Sequence, residues 1–327
     1  MNGEKKSSVL YVLDILREYT DANHSLTYAE IGKKLVSLYD VEIDRKTIAR
    51  DIDILIMNGH DIVKKGNSGV ALLSRNFEDG ELLYLLDAIY SSRSMPTNYA
   101  RDLVNKITSD RSFYDKKRFK FLEKIDDGSR VNNKQIFFTI EMLNQAIEEG
   151  KKVELQYASY DIDKKLKPKK DGKVFKINPY FMVNNHGKYY LICNYDKYNN
   201  ISNWKIENIV NIKILKEDVK PVTALDGQAN FDLQKYMQEH IYMLAGKSVN
   251  AKIKIDNEER INDVISWFGN SARIYREKNE LFVDLKVNED ALIFWALQYG
   301  ESVEVVAPQE SREKMKNIIK GMLKKYE

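Results

Sequence analysis

Apolar residues recur at three- and four-residue spacing from the start of the chain. Val9, Leu10, Val12, Leu13, Ile15 and Leu16 form one stripe that opens after Ser7 and closes near Asp21-Ala-Asn, which predicts a first helix. Thr27 with Glu30 three residues on has the form of a capping box, so a second helix begins there and runs to about Leu38. After a break over Tyr39 to Ile43, Asp44 caps a third helix, Arg45-Lys-Thr-Ile-Ala-Arg-Asp-Ile-Asp-Ile-Leu-Ile-Met-Asn-Gly. In it Ile48, Ile52, Leu55 and Ile56 make the core stripe, and Gly59 supplies a left-handed stop. Two short strands follow, His60 to Lys65 and Val70 to Ser74, joined by Gly66-Asn-Ser-Gly as a hairpin.

Helical spacing returns over Phe77 to Ile89 and, past Met95-Pro-Thr-Asn, over Tyr99 to Ile107. Residues 108 to 133 are charged with aromatics interleaved, including Arg111-Ser-Phe-Tyr-Asp-Lys-Lys-Arg-Phe-Lys-Phe, and read as an irregular connector or strand. Ile136 to Glu149 is an amphipathic helix closed by Gly150, after which the period changes to two. Strands are expected over residues 152–157, 175–183, 189–195 and 201–206, with turns at Asp171-Gly, Asn185-His-Gly and Asn199-Asn. A small, strongly bent antiparallel barrel is the natural closure for such strands because it removes exposed edges. From Val249 the order is strand, helix, two strands, helix, strand, which is the βαββαβ order of a ferredoxin-like sandwich. A last amphipathic helix is expected from Ser311 to Tyr326.

At 327 residues the chain is long enough for two or three domains. Hydrophobic residues at 43% and charged residues at 31% give a globular profile, and no apolar run approaches the roughly 20 residues of a membrane-spanning helix. A polar start without an apolar signal core adds to the expectation of a cytoplasmic protein. One cysteine, Cys193, and four scattered histidines make neither a disulfide nor a zinc set, so no metal and no cofactor are expected. A net charge of +3 leaves the question of nucleic acid to local clustering.

That clustering is on the third helix. Arg45, Lys46, Thr47 and Arg50 occupy its first two turns, where a recognition helix meets base edges and phosphates in the major groove, while Lys64 and Lys65 sit on the hairpin within reach of a neighbouring phosphate. Charges at a helix start also serve as a plain solvated face. Here, however, three helices of suitable length, a polar face and a basic hairpin occur in sequence. The string from Asp44 through Gly59 and Ile62 resembles the winged helix-turn-helix of bacterial regulators that carry a WYL domain. That resemblance gives Asp51 and Asp53 structural or orienting roles. The expected DNA-facing set is Thr27, Tyr28, Arg45, Lys46, Thr47, Arg50, Lys64, Lys65, Asn67 and Ser68.

Further on, Gln156-Tyr-Ala-Ser159, Asn178-Pro-Tyr180 and Lys188-Tyr-Tyr-Leu191 resemble successive motifs of the WYL domain, with Tyr189 in place of the tryptophan that names it. Trp204-Lys-Ile-Glu-Asn-Ile209 is similar to the family's aromatic-Arg-Leu-Asp-Arg-Ile segment, but both arginines are absent. Lys205 keeps the charge without the planar fork that grips phosphate, and Asn208 keeps neither. The residues expected to hold an effector are Tyr157, Ser159, Tyr180, Tyr190, Lys205 and Asn208. Each tyrosine is equally readable as a core residue with a satisfied hydroxyl. Seven lysines between Asp163 and Lys176 serve either as a solubilising loop or as a phosphate-attracting hairpin. The stretch from Ile293 to Pro308 is similar to the extension that follows WYL domains, with Trp295 most simply a core residue.

The expected organisation is therefore α+β and multidomain. It comprises a winged helix-turn-helix over 1–75, a helical linker over 76–133, a small Sm/SH3-like β-barrel over 134–222 and a ferredoxin-like C-terminal domain over 223–327. His24, His60, His186 and His240 fall in four separate elements, and no nucleophile-elbow or phosphate-loop pattern occurs, so no catalytic residues are expected. The resemblance implies a transcriptional regulator, a repressor rather than an activator. It would bind a palindromic double-stranded operator as a homodimer and sense a nucleic-acid or nucleotide-like effector. A regulator answering a non-nucleotide small molecule and a nucleic-acid-processing enzyme are the alternatives.

Overall fold

The computed structural model describes residues 7–119 and 133–327, apart from the side chains of Asn67 and Lys170. The chain divides into two compact units, residues 1–132 and 133–327.

The first unit begins with three helices, α1 (Ser8–Tyr19), α2 (Tyr28–Tyr39) and α3 (Arg45–Met57). Their apolar stripes meet in one core containing Val12, Ile15, Leu16, Ile31, Leu35, Ile48, Ile52 and Leu55. Ile56, expected in that stripe, stays 38% exposed, because one residue beyond Leu55 lies about 100° further round the helix. Asp51 takes a buried position instead, and its carboxylate accepts a hydrogen bond of 2.5 Å from the Ser8 hydroxyl. The Thr27–Glu30 capping box is formed, and Asp44 caps α3 through the backbone N–H groups of Lys46 and Thr47.

Strands β1 (Ile62–Lys64) and β2 (Val70–Leu72) form an antiparallel hairpin whose tip, Gly66–Ser68, is a single 3-10 turn. Leu26 bridges β2 at Val70 through hydrogen bonds of 2.8 and 3.0 Å, which pins the hairpin to the start of α2. Gly69 makes this possible. It has φ +94°, and a Cβ there would lie 2.1 Å from the Leu26 carbonyl oxygen.

Helices α4 (Asp79–Ser91) and α5 (Thr97–Ile107) pack through Leu82, Leu86, Tyr90, Val104 and Ile107. The connector expected to be irregular contains a further helix, α6 (Phe113–Arg118), capped by Ser112; residues 120–132 of that connector lie outside the described residues. Within the unit α6 is tied to the end of α1. The Ser112 hydroxyl donates to Asp21, Tyr114 stacks on His24 at 3.6 Å, and Arg111, only 3% exposed, donates to Asp79 at 2.8 Å.

The second unit opens with α7 (Ile136–Glu148), which packs across β3 (Lys151–Tyr160), β5 (Val174–Asn185) and β8 (Ile209–Asp218). Its sheet also contains β4 (Leu166–Pro168), β6 (Lys188–Tyr195) and β7 (Ile201–Lys205). The strands run β4-β3-β5-β6-β7, with β8 on β3. The sheet is open rather than a closed barrel. Among the described residues β7 and β8 form no ladder, because the 3-10 turn Ile206–Asn208 between them redirects the chain so that β8 pairs with β3 instead. Irregular registers in β3–β8 and β5–β6 bend the sheet without closing it.

After α8 (Leu233–Glu239) the chain forms β9 (Ser248–Ile255), α9 (Glu259–Phe268), β10 (Arg273–Glu277), β11 (Glu280–Asn288), α10 (Glu289–Gln298), β12 (Val303–Ala307) and α11 (Gln309–Leu323). Its sheet order is β10-β11-β9-β12, antiparallel throughout. Alternate residues Ile253, Ile255, Val283 and Leu285 face Val264, Phe268, Leu292 and Trp295 of the two helices in one core, where Trp295 is fully buried. No helix among the described residues is long and apolar enough to cross a membrane.

Candidate functional sites

The first candidate surface is on α3 and the hairpin. Burial of Ile48, Ile52 and Leu55 forces the opposite side of α3 outward, and Arg45, Lys46 and Arg50 are exposed there. Thr27, Tyr28, Arg45 and Lys64 line one groove between the start of α2, the start of α3 and the hairpin, with Gly66 and Gly69 in its wall. The Arg45 guanidinium lies 5.5 Å from the Tyr28 ring centroid, a cation–π contact that leaves its charge available.

Other members of the expected set have local duties. The Thr27 hydroxyl donates to Glu30 at 2.7 Å and the Thr47 hydroxyl to Asp44 at 2.9 Å, so both are engaged in helix capping. The backbone N–H of Thr47, with the Thr47 hydroxyl and the backbone N–H of Lys46, holds the Asp44 carboxyl below the ordinary aspartate range. Lys65 donates to the carbonyl of Ala22 at 2.7 Å, and the Ser68 carbonyl accepts from Ser25 at 2.7 Å, so these two residues fasten the hairpin to the α1–α2 loop. The Asn67 side chain lies outside the described residues. Lys64 forms an ion pair of 2.5 Å with Asp53 on α3. The hydrogen bond it donates to that carboxylate raises the lysine above its ordinary pKa. Asp53 is the residue in this region that sequence reasoning did not place at the surface contact.

The second candidate lies on the sheet of the second unit, and the six expected residues do not converge there. Asn208 donates to the Tyr157 hydroxyl at 3.3 Å, and Tyr157 packs edge-on against Trp204 at 4.9 Å. Burial pushes the Tyr157 phenol up, opposed by Asn208 and the backbone of Lys205, so this tyrosine clasps the 206–208 turn to β3. Lys205 stands opposite Tyr190, and Trp204 opposite Leu191, so Lys205 and Tyr190 occupy the other face of the sheet from Trp204. Tyr190, 8% exposed, packs there with Ile192, Ile201 and Tyr236. Tyr180 is in the same cluster with its hydroxyl donated to the Lys220 carbonyl at 2.8 Å, and is a satisfied core residue. Ser159 pairs with Lys167 in the β3–β4 ladder. Lys205 lies near Glu207, whose carboxyl burial pushes up and the ammonium groups of Lys205 and Lys188 pull back down.

What the sheet does assemble is an aromatic face. Phe175 meets Trp204 at 5.1 Å and Tyr195 at 5.4 Å, and Tyr157 completes the group. Two lysines of the charged hairpin fold over it: Lys169 lies 5.5 Å from the Tyr157 ring, and Lys173 lies 5.3 Å from Phe175 and 5.8 Å from Tyr195. Lys167 and Lys176 are held by Asp161 and Glu217, each at 2.7 Å. Four lysines of the stretch are thus divided between ion pairs and a cationic edge on buried and half-buried rings. Alternation in β5 and β6 is the sequence signal that brings Phe175 and Tyr195 to one face. Their ring contacts depend on the bend of the sheet, which that signal does not contain.

Buried Asn178 and Asn194 form a network with Asp196 at the surface, in which Asn178 donates to both partners, at 2.9 and 3.0 Å, and Asn194 donates to the carbonyls of Tyr198 and Asn200. The Asn178-Pro-Tyr motif is therefore architectural. Cys193 is fully buried, and burial raises its thiol pKa. Among the described residues no group of three or more His, Cys, Asp or Glu side chains is placed to hold a metal ion.

Comparison with known proteins adds domain assignments. Residues 139–214 match the WYL domain and residues 247–323 the WCX domain. No curated protein matches the chain. Among solved structures, the proteasome accessory factor B/C (PafBC) of Arthrobacter aurescens aligns at 14% identity and TM-score 0.32. That alignment covers 99% of this chain and 48% of the other, so the chain spans about half the length of that protein. A CRISPR Cas-related protein aligns at 13% identity and TM-score 0.37, covering 99% and 85% of the two chains. The sheet that carries the aromatic face thus lies in the stretch matching the WYL domain, and the four-stranded sheet that follows it in sequence lies in the stretch matching the WCX domain.

Proposed function

We propose that this protein is a sequence-specific DNA-binding transcriptional regulator. Residues 1–75 act as a winged helix-turn-helix, 76–133 as a helical linker, 134–222 as the sensing domain and 223–327 as a ferredoxin-like C-terminal domain. The observation that carries the reading is the outer face of α3. Arg45, Lys46 and Arg50 stand exposed on a helix whose other side is core, and Lys64 and Arg45 share the groove beside it. A helix so presented meets the geometric requirement for major-groove insertion, with the hairpin as the wing against the neighbouring backbone. Two such helices on a homodimer would occupy successive grooves of a palindromic operator and exclude the transcription machinery, hence a repressor.

The WYL domain is the sensing part of the proposal. The half-buried rings of Tyr157, Tyr195 and Trp204, edged by Lys169 and Lys173, suit a planar base and its phosphate, so a nucleic-acid or nucleotide-like effector is favoured over a non-nucleotide small molecule. An effector acts only by binding two arrangements of the protein with different affinity.

The test is operator binding by two variants over a series of salt concentrations. Arg50→Ala should cost roughly 1–3 kcal/mol if Arg50 reads a base, whereas Lys64→Ala should chiefly flatten the salt dependence, by about one unit of slope. Negligible effects of both on a duplex that the wild type binds would refute this docking.

A further inference from the structure

The basic surface on α3 and the hairpin also carries an exposed carboxylate, Asp53. Asp51 is buried and bonded to Ser8, a structural duty. Asp53 is different: its side chain is 52% exposed, and it pairs with Lys64 of the hairpin, itself 45% exposed. Asp53 follows Arg50 by three residues, so the two occupy neighbouring turns on one side of α3. In the uncomplexed chain the hairpin lysine that lines the groove with Arg45 is therefore already neutralised by the helix it flanks.

We propose that Asp53 is a specificity-determining residue for duplex binding, acting by withholding Lys64 from phosphate. This rests on the DNA-binding reading above. One ammonium cannot keep a 2.5 Å contact with Asp53 and also neutralise a phosphate at full strength. Binding through the hairpin therefore exchanges one anion for another and leaves the Asp53 carboxylate facing a polyanion. On an arbitrary duplex, where attraction is almost wholly to the backbone, that exchange yields little. On a site that offers Asp53 a base amino group in the major groove, cytosine N4 or adenine N6, the released carboxylate finds a donor and the exchange becomes favourable. Asp53 thus lowers affinity for arbitrary sequence more than affinity for the operator.

The experiment uses the full-length protein, a duplex selected by the wild type from a random pool, and a scrambled duplex of equal length, with binding measured by fluorescence anisotropy at low salt. Asp53→Asn should tighten binding to the scrambled duplex by about two- to fivefold, the range of an exposed ion pair, and should narrow the ratio between selected and scrambled duplexes. In a Lys64→Gln background at least half of that gain should vanish, because no lysine remains to be released. An equal gain in both backgrounds would show simple repulsion by Asp53 and overturn the proposal, as would an equal gain on both duplexes. If no form of the protein, wild type included, binds either duplex, the DNA-binding reading falls as well, an outcome distinct from wild-type binding with an additive cycle.

Discussion

Gly69 shows how much a single position without a side chain can decide. Its positive φ and its approach to Leu26 let β2 bridge the segment before α2, and that bridge fixes where the hairpin stands beside α3. Gly69→Ala would drive a methyl group into the Leu26 carbonyl, so the bridge must open. The expected cost is about 1–3 kcal/mol in urea unfolding, together with weaker duplex binding because Lys64 is displaced. At this scale the sequence was partly legible. The caps Thr27 and Asp44 follow from residue type and spacing, and so does the outward face of α3. The tyrosines of the expected effector set were not legible, because a phenol on a strand has the same pattern whether it closes on a carbonyl, as Tyr180 does, or on a turn, as Tyr157 does.

Among the elements, α6 has an attachment that carries a pH signature. Burial alone would raise the Asp21 carboxyl, but hydrogen bonds from Ser112, His24 and the backbone N–H groups of Asn23 and His24 outweigh it and hold the carboxyl below its ordinary value. A carboxylate depressed on folding stabilises the native state above its unfolded pKa of about 3.9 and loses that contribution as the pH falls through the folded value. Ser112→Ala removes the α6 cap at every pH and the Asp21 bond only where Asp21 is ionised, so its deficit should be larger by about 1 kcal/mol above pH 5 than at the acid end, where the two stability curves draw together. Denaturant unfolding between pH 6 and 2 reads this directly, and parallel curves would contradict it. The helix itself escaped pattern reading because six residues, mostly charged, hold no periodic stripe. β4 escaped because it is three residues long and ends in proline, and β8 because Asn211, at φ +54°, breaks the alternation of Ile209 to Asp218. Long helices and the βαββαβ order were legible, since their patterns repeat over several turns or pairs.

For the whole molecule, the organising fact is the separation into two units with their own cores. One is built on Ile15, Leu35 and Ile52, the other contains Ile253, Val283 and Trp295. Cores that share no residues unfold as separate cooperative blocks unless a large interface couples them, so calorimetry should resolve two transitions. Arg50→Ala, on an exposed face of the first unit, should leave both midpoints unchanged; a shift would mean that its effect on DNA binding is indirect. The closure of the WYL sheet was the largest feature that strand patterning could not reach, because alternation specifies faces and is silent on whether the last strand finds the first. The consequence of the unpaired seam is mechanical. With no rung between β7 and β8, the open edge of the sheet is held at the 206–208 turn by a few side-chain clasps, Asn133 on the carbonyls of Glu207 and Ile209 and Asn208 on Tyr157 of β3. Spreading it strains those clasps before it breaks any strand ladder, and the rings of Tyr157 and Trp204 stand at that turn, where such spreading would first be felt.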